Sequence, residues 1–318
     1  MVLITGCGKK SVESILNKIV DKIENTDSYY LTGELEMLNN ETNYKYDVAV
    51  SYMKKNNFKV RLKNQVNNHK QVILRNNEGI FVITPSLNKS FKFQSEWPYN
   101  NSQAYLLQTL IQDIKSDKNI KLIKESKSEI IYKCLVNYIN NKELIKQKIY
   151  LNNKGDLKKI EVLNKDNIVI IKMKFNKIEY DYKYKENYFT LDENITISKE
   201  IEFKNTIKDV IYPMYLPKNT KLKNQETIEL EKGMRVILNF TGDSSFTLIQ
   251  ETAKNCELFE TTIANGDPFL VVSVFGNIES NSINWINNGM EFYLVSDNLK
   301  DTELIKVAQS MNNANLVK

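Results

Sequence analysis

Histidine is almost missing from this 318-residue chain. There is one, His69, alongside three cysteines, five prolines, ten glycines and two tryptophans. Each scarcity removes a class of function. One histidine and the two cysteines in the body of the chain, Cys134 and Cys256, cannot assemble the usual zinc constellations. His69 stands in NNHK between two predicted strands with no nucleophile elbow beside it, so it reads as a turn residue. No Gly-rich phosphate loop or Asp-rich calcium loop is present, and no pattern asks for a cofactor or a metal. Acid pairs such as Glu34 and Glu36 read as a solvated strand face. No apolar run approaches the ~20 residues of a membrane-spanning helix. So few prolines and glycines argue against long disordered linkers. Cys7, Cys134 and Cys256 leave one thiol unpaired however the others pair, and the last two, in IIYKCLV and TAKNCELF, read as small buried hydrophobes.

Charge is plentiful but unfocused. The chain carries 44 Lys and Arg against 39 Asp and Glu, a formal net charge of +5. The lysines are interleaved with acids and share the heavy use of Asn and Ile that marks an AT-rich genome. No nucleic-acid face stands out, and only a weak attraction to anionic surfaces follows.

The opening MVLITGCGKKS places two apolar residues, Thr5 and Gly6 before Cys7. That order fits the recognition site of the bacterial lipoprotein signal peptidase, which needs small residues before a diacylated cysteine. Cys7 is therefore the expected lipidation site and membrane anchor, with residues 1–10 as lipobox and tether. A full signal needs a charged segment and ~7–15 apolar residues. Only MVLITG precedes Cys7, so either the true start lies upstream or LITGC is chance.

From Ser11, a plausible N-cap, Val12, Ile15, Leu16, Ile19, Val20 and Ile23 recur at helical spacing, predicting an amphipathic helix over 11–25. The period then becomes two. In NYKYDVAVSY, Tyr44, Tyr46, Val48, Val50 and Tyr52 alternate with Lys45, Asp47, Ala49 and Ser51, a strand with one aromatic face. Closely spaced strand patterns follow, with Phe91 and Phe93 on one of them and Gly79 in the turn NNEG. A second helix is expected over 101–115, after Trp97 and Pro98, capped by Asn101 or Ser102. The meander resumes to residue 185, giving about eleven strands and two helices in one large antiparallel sheet. Pro213 and Pro217 suit no central strand, which sets a boundary between 190 and 210. Beyond it more strands and a last helix that Asp301 can cap, with Leu304, Val307, Ala308 and Met311 on one face, make a small α+β domain.

Several local patterns in this order resemble the LolA/LolB/RseB superfamily, half-barrels that close an antiparallel sheet over helices and hold lipid or lipoprotein segments. Phe58 and Arg61 in MKKNNFKVRLK match a family pattern, although Asn56 and Asn57 occupy the place of its proline. Gly79, Ile80 to Ile83 and Pro85 match its turn glycine, apolar strand and loop proline. IYPMYLPKNTKLKNQ, and Trp285, Gly289, Ala308 and Ser310 near the end, are similar to the small domain of the lipoproteins that spore-forming Gram-positive bacteria carry in this superfamily, the YdcC-like sporulation proteins and GerS-type germination lipoproteins. The resemblance implies an α+β chain with a curved antiparallel half-barrel covered by helices over 11–195, then a small α+β domain over 200–318. It implies a noncatalytic binding protein of the cell or forespore envelope. In GerS-type proteins the partner is a cell-wall amidase. An acyl-chain or lipoprotein carrier and an uncharacterised hydrolase are the alternatives. Tyr44, Tyr46, Tyr52, Phe91, Phe93 and Trp97 are the candidate contacts for a protein partner or an acyl chain.

Overall fold

The structure, a computed structural model, describes residues 8–38, 43–66, 68–195, 210–231, 233–253, 256, 258–271, 274–287 and 289–311. Cys7 and most of the expected boundary at 190–210 lie outside them. In chain order the described residues form α1 (Gly8–Asn25), β1 (Ser28–Leu38), β2 (Asn43–Met53), β3 (Asn57–Asn64), β4 (Lys70–Asn76), β5 (Gly79–Thr84), β6 (Lys89–Phe93) and α2 (Leu107–Ser116). The meander continues through β7 (Lys121–Glu125), β8 (Glu129–Leu135), β9 (Leu144–Asn152), β10 (Leu157–Asn164) and β11 (Val169–Tyr180) to the short α3 (Leu191–Asn194). Then come β12 (Thr220–Leu230), β13 (Gly233–Gly242), β14 (Phe246–Thr252), β15 (Glu260–Ala264), β16 (Asp267–Val271), β17 (Val274–Glu279), β18 (Ser282–Asn287), β19 (Met290–Val295) and α4 (Asp301–Ser310). Among these residues no helix is long and apolar enough to cross a membrane.

The chain divides into two compact units, residues 1–55 with 98–183 and residues 56–97 with 184–318. In the first, the strands lie in the order β2-β1-β11-β10-β9-β8-β7, every neighbour antiparallel. Period-two alternation gives this sheet one buried face: Leu31, Leu35, Tyr46, Val48, Val50, Ile149, Ile160 and Met173 point into it, each at most 3% exposed. Such side chains contribute about 1.5–3 kcal/mol each over their exposed state. The helices cover that face. Tyr29 Oη donates to Gln108 Oε1 of α2 at 2.6 Å, and Gln147 Nε2 of β9 donates to Asp113 Oδ2 of α2 at 3.0 Å. Lys115 of α2 pairs with Glu24 of α1. The α+β class and the helix-covered antiparallel sheet are thus as the sequence patterns predict. At the β1–β11 bulge, a Cβ on Gly33 would lie 2.2 Å from the Lys174 carbonyl oxygen, so only glycine lets the two backbones approach there.

Helix starts differ from the expectation. α1 begins at Gly8, which puts Ser11 inside the helix rather than at its cap. α2 begins at Leu107 instead of 101. The polar groups that would cap it are engaged elsewhere: Ser102 Oγ donates to Asp113 Oδ1 at 2.7 Å, and Asn101 Oδ1 accepts from Ile139 N at 3.1 Å. α4 begins at Asp301 itself, so Asp301 is its first helical residue rather than its cap; Lys300 holds the N-cap position without a side-chain cap bond, and Asp301 and Glu303 sit in the first turn, where acids meet the positive end of the helix dipole.

The second unit holds β15-β6-β5-β4-β3 and a seven-stranded sheet ordered β12-β13-β14-β19-β18-β17-β16. β15 joins β6 in parallel, Thr261 opposite Ser90. The run FLVVSVFGNI, a single strand by its hydrophobicity, is two antiparallel strands, β16 and β17. Leu304, Val307, Ala308 and Met311 of the α4 region seal the core of the seven-stranded sheet against Trp285, Phe292 and Leu294. Side chains tie residues 56–97 to the C-terminal segments within this unit. Gln71 accepts from Phe275 N and donates to Phe275 O, and Asn88 Nδ2 donates to the Cys256 carbonyl at 2.9 Å.

Candidate functional site

The six aromatic candidates fall into two groups, one in each unit. Tyr44, Tyr46 and Tyr52 lie on β2 of the first. Tyr46 is wholly buried, whereas Tyr44 and Tyr52 are half-buried. The Tyr52 ring stacks on Tyr29 with centroids 5.1 Å apart, and burial raises its phenol pKa, opposed by a hydrogen bond with Gln108. Tyr52 and Tyr29 therefore form the seat on which α2 rests.

Phe91, Phe93 and Trp97 belong to the second unit. Phe93 is 4% exposed and Trp97 1%, while Phe91 is half-buried. Phe91 and Phe93 line a small interior gap with Gln71, Thr84, Phe275 and Trp285. Trp97 meets Phe58 edge-on at 6.1 Å, and its carbonyl accepts a hydrogen bond from the Arg75 guanidinium. Tyr46, Phe93 and Trp97 are thus core residues, which leaves Tyr44, Tyr52 and Phe91 with surface to offer.

Two groups lay outside the sequence reading. One is a polar cluster under α2. Asp113 accepts from Ser102 Oγ and Gln147 Nε2, the Ser102 oxygen accepts from Asn137 N at 2.8 Å, and Gln147 Nε2 approaches Cys134 Sγ at 3.4 Å. Burial pushes the Asp113 carboxyl up to about 7 against the pull of its two hydrogen bonds, and burial likewise pushes the Cys134 thiol up to about 12. A thiol so raised is inert as a nucleophile at neutral pH. The other is Lys59, whose ammonium lies 4.3 Å from the Tyr188 ring centre; burial, helped by Arg61, lowers it to about 8. His69 is lowered by burial to about 4, which makes it a weak base. Among the described residues no three His, Cys, Asp or Glu side chains are grouped to hold a metal ion. Only the 3.6-residue spacing of Asp113 against the apolar stripe of its helix hinted at its position, on the flank that turns inward.

These features define a mostly antiparallel α+β protein whose aromatic strands carry helices on their buried face. No protein-family model matches the chain. The Bacillus subtilis sporulation protein YdcC is 31% identical to it over 317 residues, 98% of this chain and 93% of that protein. The chain belongs to the family of that sporulation protein. Similar solved structures include the complex of Pseudomonas aeruginosa MucA and MucB, at 12% identity and a TM-score of 0.34, with 94% of this chain and 98% of that one covered. The complex of the CwlD amidase from Clostridioides difficile with the GerS lipoprotein is 20% identical at a TM-score of 0.32, covering 58% of this chain and 100% of that one. A LolA superfamily protein from Nitrosomonas europaea is 13% identical at 0.34, over 57% and 98%.

Proposed function

We propose that the chain is a noncatalytic binding protein of the cell envelope, lipid-anchored through Cys7 on the outer side of the cell or forespore membrane. It acts in sporulation or germination by holding a protein partner there. Membership of a sporulation-protein family over nearly the whole chain carries this reading. The inner face of the first unit's sheet favours a scaffold over an acyl-chain carrier, because α2 and its contacts to Tyr29 and Gln147 occupy space that a lipid tail would need. Sequence resemblance to GerS-type lipoproteins makes a cell-wall amidase the partner class. Tethering at Cys7 raises the effective concentration of any partner at the membrane surface.

The test is fractionation of sporulating cells and purification of the full-length gene product, with mass spectrometry of the proteins and lipids that come with it. The parent protein is expected in the membrane pellet with a wall amidase bound, and Cys7→Ala in the supernatant. A Cys7→Ala protein that stays in the pellet would refute the anchor, and bound lipid without any protein would make the chain a carrier.

The domains are proposed to part between residues 190 and 210. Limited proteolysis is expected to cut there first. Because residues 56–97 group with 184–318, the two products are expected to co-elute until denatured. A first cut elsewhere would count against that division.

A further inference from the structure

Strand register sets a row of side chains across the outer face of the first unit's sheet. Lys121 of β7 stands opposite Lys133 of β8, and Lys133 opposite Lys148 of β9. The row runs on through Glu161, Lys172, Glu36 and Lys45. In that second stretch charges alternate and pair: Lys172 and Lys45 reach the Glu36 carboxylate at 3.2 and 3.4 Å. The first stretch differs. Three lysines follow one another with no acid between them, and none of the three forms an ion pair among the described residues. At a strand spacing of about 4.8 Å, their stems rise from roughly 10 Å of sheet.

Like charges facing each other across strands oppose pairing, so folding does not explain this arrangement. Lysine on an edge strand guards against unwanted strand addition, which accounts for Lys121 on β7. It does not account for Lys133, which has a lysine opposite it on both neighbouring strands, and Lys148 has an acid, Glu161, on one side only. The same corner exposes aliphatic side chains: Leu135, two residues on from Lys133 and therefore on the same face, is 59% exposed, and Ile139 is 41% exposed. The carboxylate of Asp117, nearby, is occupied by the backbone N–H groups of Asn119 and Leu135, at 2.8 and 2.9 Å.

We propose that this corner, Lys121, Lys133 and Lys148 with Leu135 and Ile139, docks on the surface of an anionic lipid bilayer, independently of any anchor on Cys7. Charge complementarity calls for an anionic partner. The aliphatic residues select the bilayer over an acidic protein, because they stand at a strand end and on the β8–β9 connection instead of lining a pocket. Ammonium groups at headgroup level with short aliphatic side chains dipping below is the pattern of interfacial binding.

The test uses the full chain carrying Cys7→Ala, so that no acyl group contributes, and sedimentation with vesicles. The protein is expected to bind phosphatidylcholine vesicles containing phosphatidylglycerol, to ignore pure phosphatidylcholine, and to be released by high salt. Adding Lys121→Gln, Lys133→Gln and Lys148→Gln should weaken binding by roughly 100-fold, from the usual contribution of each lysine near an anionic surface. Because these changes relieve like-charge opposition, the thermal midpoint should stay the same or rise, which separates lost docking from lost folding. Lys221→Gln with Lys223→Gln, exposed lysines on β12, should bind as the parent does. Equal binding by the triple variant and the parent would overturn the proposal. So would equal binding to both vesicle types, binding to polyglutamate but not to vesicles, or displacement by millimolar inorganic phosphate, which would point to a protein or a free phosphate as the ligand.

Discussion

Trp97→Ala is expected to lower the unfolding free energy by about 3–5 kcal/mol, the range for removing a buried aromatic side chain. The indole is 1% exposed and packs edge-on against Phe58, itself fully buried. The residue also organises the chain around it. Its backbone N–H donates to Ser95 Oγ at 2.9 Å, and Arg75 reaches the carbonyls of both Glu96 and Trp97. Alanine keeps those backbone bonds but leaves a void beside Phe58, and the lining loses its dispersion contacts. Urea unfolding followed by circular dichroism measures the effect. A partner-binding anchor would behave in the opposite way, losing its partner while the unfolding midpoint stayed put. A loss under about 1 kcal/mol would show that the indole is not a packed core group. Tyr44→Ala, at a half-buried site, should cost far less.

The second large effect is on pH dependence. The carboxyl of Asp113 titrates near 7 in the folded chain because burial disfavours its charge, against about 3.9 when unfolded. Between those values the folded state keeps a proton that the unfolded state has released. Its contribution is therefore complete at low pH and lost as pH rises from 4 to 7, by up to about 1.4 kcal/mol per pH unit. His69 works in the reverse direction. Burial lowers it to about 4, so the unfolded chain binds a proton first and stability falls as pH drops from about 6.5 towards 4. The two slopes offset each other in the parent protein. Asp113→Asn should expose the histidine slope, leaving a variant whose stability falls markedly more on acidification than the parent's. Unfolding midpoints from pH 4.5 to 7.5 test this, and parallel curves for the two proteins would mean that Asp113 titrates normally.

Family membership was legible in the residues themselves, in the Phe58 and Arg61 pattern, the tyrosine-proline segment at 212–217 and the closing Trp285 to Ser310 motif. The candidate site was legible only as composition. Alternating tyrosines identify a strand with an aromatic face, but Tyr44, Tyr46 and Tyr52 share that alternation while differing in burial, since burial depends on which helix lies above each ring.

What the sequence determined by itself is what repeats locally. The strand alternation from Tyr44 to Tyr52 and the helical stripe of Leu304, Val307 and Ala308 are set by side-chain geometry within a few residues, and both stand in the structure, the stripe buried and the strand's face buried at Tyr46, Val48 and Val50. Tertiary structure alone decided the rest. β15 pairs in parallel with β6 across more than 160 residues of chain, a partnership that no local period encodes. Asp113 owes its raised pKa to burial under the sheet, which outweighs the opposing hydrogen bonds from Ser102 and Gln147, and neither of those partners lies within a helical turn of it. Lys121, Lys133 and Lys148 look like three ordinary surface lysines along the chain. They become one row only through the register of β7, β8 and β9, because a slip of one residue would turn each strand's lysine to the opposite face.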